Sequence, residues 1–510
     1  MLTARILTLI TFVPTAGAFI VAFLPRKGRV IQAFALLVTL ATFALSLHLP
    51  AHFDYAQHGF QFEENQPWIA SPAIRYHLGV DGLSLWLVLL TTFLAPIGVL
   101  VSWRAIETRT KEFYFLFLLQ QTATIGVFVA LDLFLYYGFW ELSLVPMAIL
   151  IALFGPNRGR QAALKFFLYT FLPSALFLVA ILYLYAKAGT FDFVHLQTLL
   201  ATGALGLTPR TLFWLSLAFL VAFAVKVPVF PLHGWLADVI QEAPVAMAMI
   251  VAGKLGLYSL FRFNLGLFPE QARAVAPLMI ALAVIGVLYG ALLALAQTDM
   301  KRLVAYSILG NLSFCTLGIF CFALVGLNGA VFQTLNEGLT GGAFLVLVSF
   351  LYERYGTTDM TLYGGLASRL PWLATLFVIT SLALVGLPLL NGFVGEFLVL
   401  SGSFASHPYW VGTAALGVIL SASYMLSMVQ RIFYGRESSL TASRPAPDLL
   451  FREHLTLWPM ALLMLAMGVL SPYWIKAIEP AMSPLSGATP AIETPVLPTA
   501  TAAGLRGVAR

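Results

Sequence analysis

The sequence predicts an all-α polytopic membrane protein of about 14 transmembrane helices, arranged as two five-helix repeats with broken helices in spans seven and twelve. Three observations carry that expectation. Of 510 residues, 60% are hydrophobic, only 10% are charged and 41 are Phe, with a mean hydropathy of +0.90, which is far from the composition of a soluble domain. Apolar runs of the roughly 20 residues needed to cross a hydrocarbon core of about 30 Å recur from Ile6 to near Leu470 with short polar interruptions. Two of those runs are interrupted by Pro and Gly, each time beside an ionisable residue.

The spans are expected near 6–24, 31–48, 82–103, 113–131, 133–154, 163–187, 211–240, 243–263, 274–297, 303–324, 328–350, 371–403, 409–430 and 455–472. The first, after Arg5, stands where a signal peptide would. Its length, the lack of a small-residue cleavage pattern and the return of apolar sequence after Lys27 make it a retained span. Residues 113–154 are apolar almost throughout. As one straight helix at ~1.5 Å per residue they would be about twice too long for the bilayer, so the chain must turn near Leu131 and Asp132. The two breaks are separated by a similar run of spans. That divides the chain into spans 1–3 with an outer loop (1–112), a first repeat (113–263), a second repeat (274–430), an inner loop with the last span (431–472) and an outer tail (473–510). No strong residue identity joins the repeats. The tail, rich in Pro, Ala and Thr with little apolar periodicity, reads as mobile.

Cytoplasmic loops are enriched in Lys and Arg. With both termini outside, the inner loops hold 16 of the 28 basic residues and the outer segments 9, so the expected placement is a bacterial inner membrane with both ends outward. The net charge of +6 reflects this loop asymmetry and asks for no nucleic-acid partner. The sequence has no Walker-type loop, no Gly-rich dinucleotide fingerprint and no paired Cys or His at metal-ligand spacing. Its two cysteines, Cys315 and Cys321, stand about 9 Å apart along one helix axis, too far for a disulfide and too few for an iron–sulfur cluster. No cofactor is expected in this chain.

A charge in mid-membrane is costly, so an ionisable residue there is a functional candidate. Six qualify: Glu141 in YGFWELSLVP, Lys165 in AALKFFLYT, Lys226 in AFAVKVPVFPLHGW, Lys254 in VAGKLGLYS, Glu337 in TLNEGLTGG and Glu396 in NGFVGEFLVL. The competing reading, snorkelling from a helix end, fits Lys165 as well as burial does. Pro228 and Pro231 follow Lys226, with His233 and Asp238 just beyond, while Gly386, Pro388, Asn391 and Gly392 precede Glu396. An internal Pro removes a helix hydrogen bond, and freed backbone in lipid is tolerated only against protein or water. In transporters such breaks mark the ion path.

These residues, with LGVDGLSLWLVLLTTFLAPIGVLVSW, ALDLFLYYGFWELSLVPM, TDMKRLVAYS and LYERYGTTD, resemble the antiporter-like membrane subunits of proton-pumping NADH:quinone oxidoreductase (respiratory complex I), of the M (ND4) type, over roughly residues 75–435. The resemblance implies two inverted five-helix repeats with a half-channel in each. It implies that Glu141 pairs with Lys226, that Lys254 is the central lysine and that Glu396 is the terminal carboxylate. NADH, flavin, iron–sulfur clusters and quinone are then expected in partner subunits, with L-like and N-like membrane subunits as neighbours in the bilayer and protons as cargo. Physically, a lysine taken out of water gives up its proton more readily, and a carboxylate that approaches or withdraws changes how tightly it is held. The chain departs from the family pattern at Asn311 and Glu337, where His is usual in spans ten and eleven, and after the seventh-span break, where the family often reads DAH and this chain has Asp238, Val239 and Ile240. Related antiporter or hydrogenase complexes, and a structural arm subunit that no longer conducts, remain as alternatives at this point.

Overall fold

Long apolar runs satisfy their backbone groups in lipid by coiling on themselves, and nearly every such run here is helical. The computed structural model describes residues 5–251 and 254–486. Helices α1 (Ile6–Phe23) and α2 (Gly28–Ser46) lead to an antiparallel hairpin, β1 (Gln61–Ile69) and β2 (Ile74–Val80), where the sequence suggested only a loop. Then come α3 (Gly82–Ala105), α4 (Thr110–Val129), α5 (Leu133–Phe154), α6 (Gly159–Ala188) and α7 (Pro209–Lys226), the last followed by a detached short helix, Leu236–Glu242. The eighth crossing, α8, comprises Val245–Val251, Lys254–Ser259 and a π-helical turn Leu260–Leu265, with residues 252 and 253 outside the described residues. After α9 (Pro269–Leu295) and α10 (Met300–Phe320), α11 joins Leu324–Asn336, a π-helical turn Glu337–Gly341 and Gly342–Tyr355. Two halves, Pro371–Leu384 and Asn391–Phe404, make α12, and α13 (Pro408–Phe433), α14 (Phe451–Val469) and α15 (Ser471–Ser486) complete the described chain.

Among the described residues, 12 helices are long and apolar enough to cross a membrane, and α14 with α15, bent by 71°, adds one crossing. Each half of α12 is about 21 Å long at ~1.5 Å per residue, so the two cross only together. Both described ends meet the hairpin or the loop just before it. Glu64 of β1 accepts from Leu7 N (2.8 Å) and Thr8 N (3.1 Å), capping α1 from a distant segment, and His58 Nδ1 lies 3.3 Å from the carbonyl of Pro480 in α15. Ends on one face require an even number of crossings, and counting broken α12 once gives fourteen. The arginine-rich loops lie on the opposite, basic face. Helices α3, α10 and α11 are almost wholly enclosed by the others, while α2, α6 and α13 form the periphery.

The segment from residue 473, expected to be a mobile tail, is helical as α15 to Ser486. It lies against α3 and α11 with Ala477, Ile478 and Met482 buried. Pro480 and Pro484 mask its amphipathic period in the sequence, and residues 487–510 lie outside the described residues.

A repeated turn relates the two halves. Gly189 (φ +70°) ends α6 and Gly356 (φ +75°) ends α11, both in the left-handed region that glycine adopts without a Cβ penalty. Beyond each, a Thr hydroxyl accepts from an Asp amide at 3.1 Å, Thr190 from Asp192 and Thr357 from Asp359. Asp192 bridges to Asp132, the N-cap of α5, and Asp359 to Asp299, the N-cap of α10. The Gly-Thr-x-Asp turn thus recurs on opposite faces, as an inverted repeat requires. It is too short to register as residue identity in a linear comparison.

Candidate functional site

Helix α7 stops at Lys226 because Pro228 and Pro231 offer no amide donor. The carbonyls left free are taken up locally: Trp235 Nε1 donates to Val225 O at 2.9 Å, and Val229 N to Ala224 O at 2.9 Å. Lys226 is buried, with Nζ 5.3 Å from the ring centroid of Trp140 and 5.4 Å from that of Phe166, distances at which an aromatic face stabilises a cation. Glu141, next to Trp140 on α5, lies in electrostatic range of Lys226 without direct contact, and its Oε1 is buried with no partner. The expected pair is therefore drawn apart, with aromatic rings holding the lysine.

The central piece of α8 packs against this break. A Cβ at Gly256 would come within 2.7 Å of Val227 N and 3.0 Å of the Lys226 carbonyl carbon, so only glycine lets the two backbones meet. Lys254, about half a turn earlier on α8, is buried and donates from Nζ to Met249 O at 2.7 Å. Its aliphatic arm runs along the π-helical turn of α11: a Cβ at Gly338 would lie 2.8 Å from Lys254 Cδ and 3.0 Å from Nζ. π-Helical turns interrupt the regular ladder and recur at functional sites. Glu337 opens this one. Its Oε2 accepts from Asn311 Nδ2 of α10 at 2.7 Å, while Oε1 is buried without a partner, beside Gly341, where a Cβ would overlap it.

The break in α12 spans 385–390, with Gly386 (φ +78°) and Leu389 (φ +77°) in the left-handed region. For Leu389 that conformation costs on the order of 1 kcal/mol. Pro388 cannot continue the ladder, and a Cβ at Gly392 would overlap the carbonyl of Ala383, so glycine allows the halves to overlap. Glu396 is buried and folds back into the gap: a Cβ at Gly386 would be 2.6 Å from its Oε2. Side-chain amides fill the interval towards Glu337. Asn391 Nδ2 donates to Thr340 Oγ1 at 3.0 Å, and Asn336 Nδ2 donates to Asn391 O at 2.8 Å and Gln333 Oε1 at 2.9 Å. Glu141, Lys226, Lys254, Glu337 and Glu396 thus follow one another through the interior, joined by close backbone approaches and amides.

Residues 130–422, which contain that whole row, match the family described as NADH:quinone oxidoreductase/Mrp antiporter, TM. The chain belongs to this family. It is similar to NADH-quinone oxidoreductase subunit M of Rhodobacter capsulatus, 40% identical over 499 residues covering 94% of this chain and 96% of the relative. It is also similar to NADH-ubiquinone oxidoreductase chain 4 of Arabidopsis thaliana, 39% identical over 427 residues covering 83% of this chain and 85% of the relative. A chain in the solved structure of respiratory complex I from Thermus thermophilus with bound NADH is 32% identical and superposes with a TM-score of 0.85, over 94% of this chain and 99% of that one.

Lys165 stands apart from the row. Its Nζ pairs with Asp238 at 2.7 Å, both side chains are 39% exposed, and they line a polar cavity of about 510 Å³ on the basic face with Arg158, Gln161, Glu242 and Arg302. Of the two readings of Lys165, the solvent-facing one holds. His233 lies between that cavity and the α7 break, its ring 5.6 Å from Phe230 and 5.1 Å from Tyr289, with Nδ1 buried and unpartnered.

Sequence reasoning missed the Trp140 and Phe166 faces, the clearances at Gly256, Gly338 and Gly341, and a buried ion pair at the hairpin end. There Arg262 of the α8 π-turn grips Asp81 with two 2.7 Å hydrogen bonds. The Asp81 carboxylate also caps α3. Asp81 before Gly82 carries a capping signal in the sequence; its distant Arg partner has none.

Proposed function

We propose that this chain is a proton-translocating membrane subunit of an NADH:quinone oxidoreductase, of the M (ND4) type. Electron transfer in partner subunits drives proton movement here. The observation that carries this reading is the row of two lysines and three carboxylates, with Lys226, Lys254, Glu337 and Glu396 buried and Glu141 half-buried, and with Lys226, Glu337 and Glu396 at a helix break or π-turn, in a chain similar over almost its full length to NADH-quinone oxidoreductase subunit M. Ionisable groups this deep are costly unless they are used. The alternation of acid and base supplies a sequence of sites differing in how tightly they hold a proton.

In this reading Lys226 loads from the polar cavity past Lys165, Asp238 and His233. Glu141 moves towards Lys226 to retain its proton and away to release it. The proton passes by Lys254 to the free Oε1 of Glu337, then along the amide-lined interval to Glu396 and out. The residues move protons only. The redox centres, NADH, flavin, iron–sulfur clusters and quinone, belong to partners, in keeping with the lack of binding motifs in this sequence. L-like and N-like membrane subunits flank the chain. The functional units are the repeats at 113–263 and 274–430, the hairpin face is outward and both termini lie outside a bacterial inner membrane, so reporter fusions after Arg29, Lys111 and Arg302 should all report cytoplasm.

The test is proton pumping per NADH oxidised in the assembled enzyme. Lys226→Ala, Glu141→Ala and Glu337→Gln are expected to lower it at least about tenfold, since removing one member of a buried charged set costs several kcal/mol. Glu141→Asp is expected to be milder, and Glu337→His to retain part of the activity. Near-normal pumping in Lys226→Ala and Glu141→Ala refutes the reading; unchanged pumping in Glu337→Gln removes Glu337 from the path.

A further inference from the structure

The carboxyl group of Glu337 is asymmetric. One oxygen, Oε2, takes the Asn311 amide N–H at 2.7 Å, and the other, Oε1, is buried with no partner among the described residues. Asn311 is itself buried and reaches Glu337 from a different helix, α10, so the contact is set by packing between two enclosed crossings and not by local sequence. The space around the free oxygen is kept open by a glycine: a Cβ at Gly341 would overlap Oε1, and no described residue supplies a donor there. A buried oxygen without a partner is costly. An N–H aimed at Oε2 opposes a hydroxyl proton on that same oxygen, because two donors would then face each other.

We propose that Asn311 is a positioning residue for Glu337: its amide pins Oε2 and leaves Oε1 as the single oxygen that accepts and releases the transported proton. The inference rests on the reading of Glu337 as a proton carrier and specifies the oxygen that carries it. An amide suits the task because it donates a hydrogen bond yet neither gains nor loses a proton at working pH. An Asp at 311 would place a second negative charge against Glu337 and share its proton, and a His would hold a proton of its own. The division of labour is one group that orients and one that titrates. The fixed orientation matters since proton transfer needs donor and acceptor held within hydrogen-bond reach.

The experiment compares wild type, Asn311→Leu, Asn311→Ser, Asn311→Gln and Glu337→Gln in the assembled enzyme. It reads NADH oxidation, proton pumping per NADH and the infrared carbonyl stretch of protonated Glu337, identified as the band that Glu337→Gln removes. Asn311→Leu fills the site without a donor, and Asn311→Ser withdraws the donor in a smaller side chain that assembles if the leucine does not. Each is expected to shift the Glu337 band, because both oxygens become free to carry the proton, and to lower pumping per NADH about tenfold, the scale of one hydrogen bond to a charged group. Asn311→Gln, which keeps the amide, is expected to restore part of both. A band unmoved in Asn311→Leu and Asn311→Ser overturns the proposal whether or not pumping falls, because lost pumping alone is what a structural role would give. Normal pumping in Glu337→Gln is a different failure, that of the carrier reading itself, and is recognised from that variant alone.

Discussion

Gly338 offers the most direct test of whether the Lys254 arm must lie against the π-turn of α11. A methyl group in Gly338→Ala would sit 2.6 Å from Leu90 Cδ2, 2.8 Å from Lys254 Cδ and 3.0 Å from Lys254 Nζ, all well inside van der Waals contact. In an ordinary exposed helix position Gly→Ala stabilises by roughly 0.5–1 kcal/mol. Here overpacking costs about 1–3 kcal/mol, shared between the Lys254 arm and the Leu90 side chain, which lines an apolar cavity of about 430 Å³. Displacing the lysine from its place beside Glu337 is expected to lower proton pumping per NADH roughly fivefold to a hundredfold. NADH oxidation by the partner subunits should fall less. Gly138→Ala is the control, because nothing lies within 4 Å of a Cβ there; it should assemble normally and pump normally. Full pumping in Gly338→Ala with normal assembly would refute the placement of Lys254 in the row.

Asp81→Ala leaves Arg262 buried without its partner, a loss of about 3–5 kcal/mol, and it removes the cap of α3. The expected outcome is a clearly lower melting temperature or poor assembly, with Asp81→Asn milder because Oδ1 still caps; an unchanged melt for Asp81→Ala would sink the argument. At the hairpin, burial of His77 lowers its proton affinity, but Asp192 at 2.5 Å and Glu63 at 3.1 Å outweigh that and raise its pKa above the usual histidine value. A raised pKa means stabilisation that is complete below the ordinary histidine range and is lost as pH rises through the folded value. Hydrogen exchange of residues 61–80, corrected for intrinsic rates, should therefore speed up on the alkaline side of that range, and His77→Gln should abolish the pH dependence. A wild-type rate that does not change with pH would count against the cluster.

The spans were legible because the bilayer fixes their length and lipid punishes unsatisfied backbone. Lys226, Lys254, Glu337 and Glu396 were legible because a charge in such a run is anomalous, and the Pro and Gly clusters beside Lys226 and Glu396 marked where α7 and α12 break. Periodicity and hydropathy carry no information on which helix meets which. The approaches at Gly256 and Gly338, the cage of Trp140 and Phe166 and the Asp81–Arg262 pair all join segments far apart in sequence. The β1–β2 hairpin and α15 escaped for a related reason: each is buried on one side only, which leaves a weak apolar signal, and in α15 two prolines weaken it further.

The geometry also bears on how a signal could travel along the row. Lys226 ends α7, Lys254 lies on α8 ahead of its π-turn, Glu337 opens a π-turn and Glu396 folds back into the α12 break. A regular helix holds its side chains at fixed spacing, whereas a break or π-turn allows neighbouring halves to rotate while the backbone finds other partners, as Val225 O does with Trp235. The breaks therefore give the buried groups the mobility that alternating pairing demands. They are also in contact with one another: Gly256 ties the α7 break to α8, Gly338 ties α8 to the α11 π-turn, and Asn336 and Asn391 tie that turn to the α12 break. A shift at one break must be accommodated at the next because close-packed interiors do not absorb it. Electrostatic and mechanical coupling thus follow the same residues from Glu141 to Glu396.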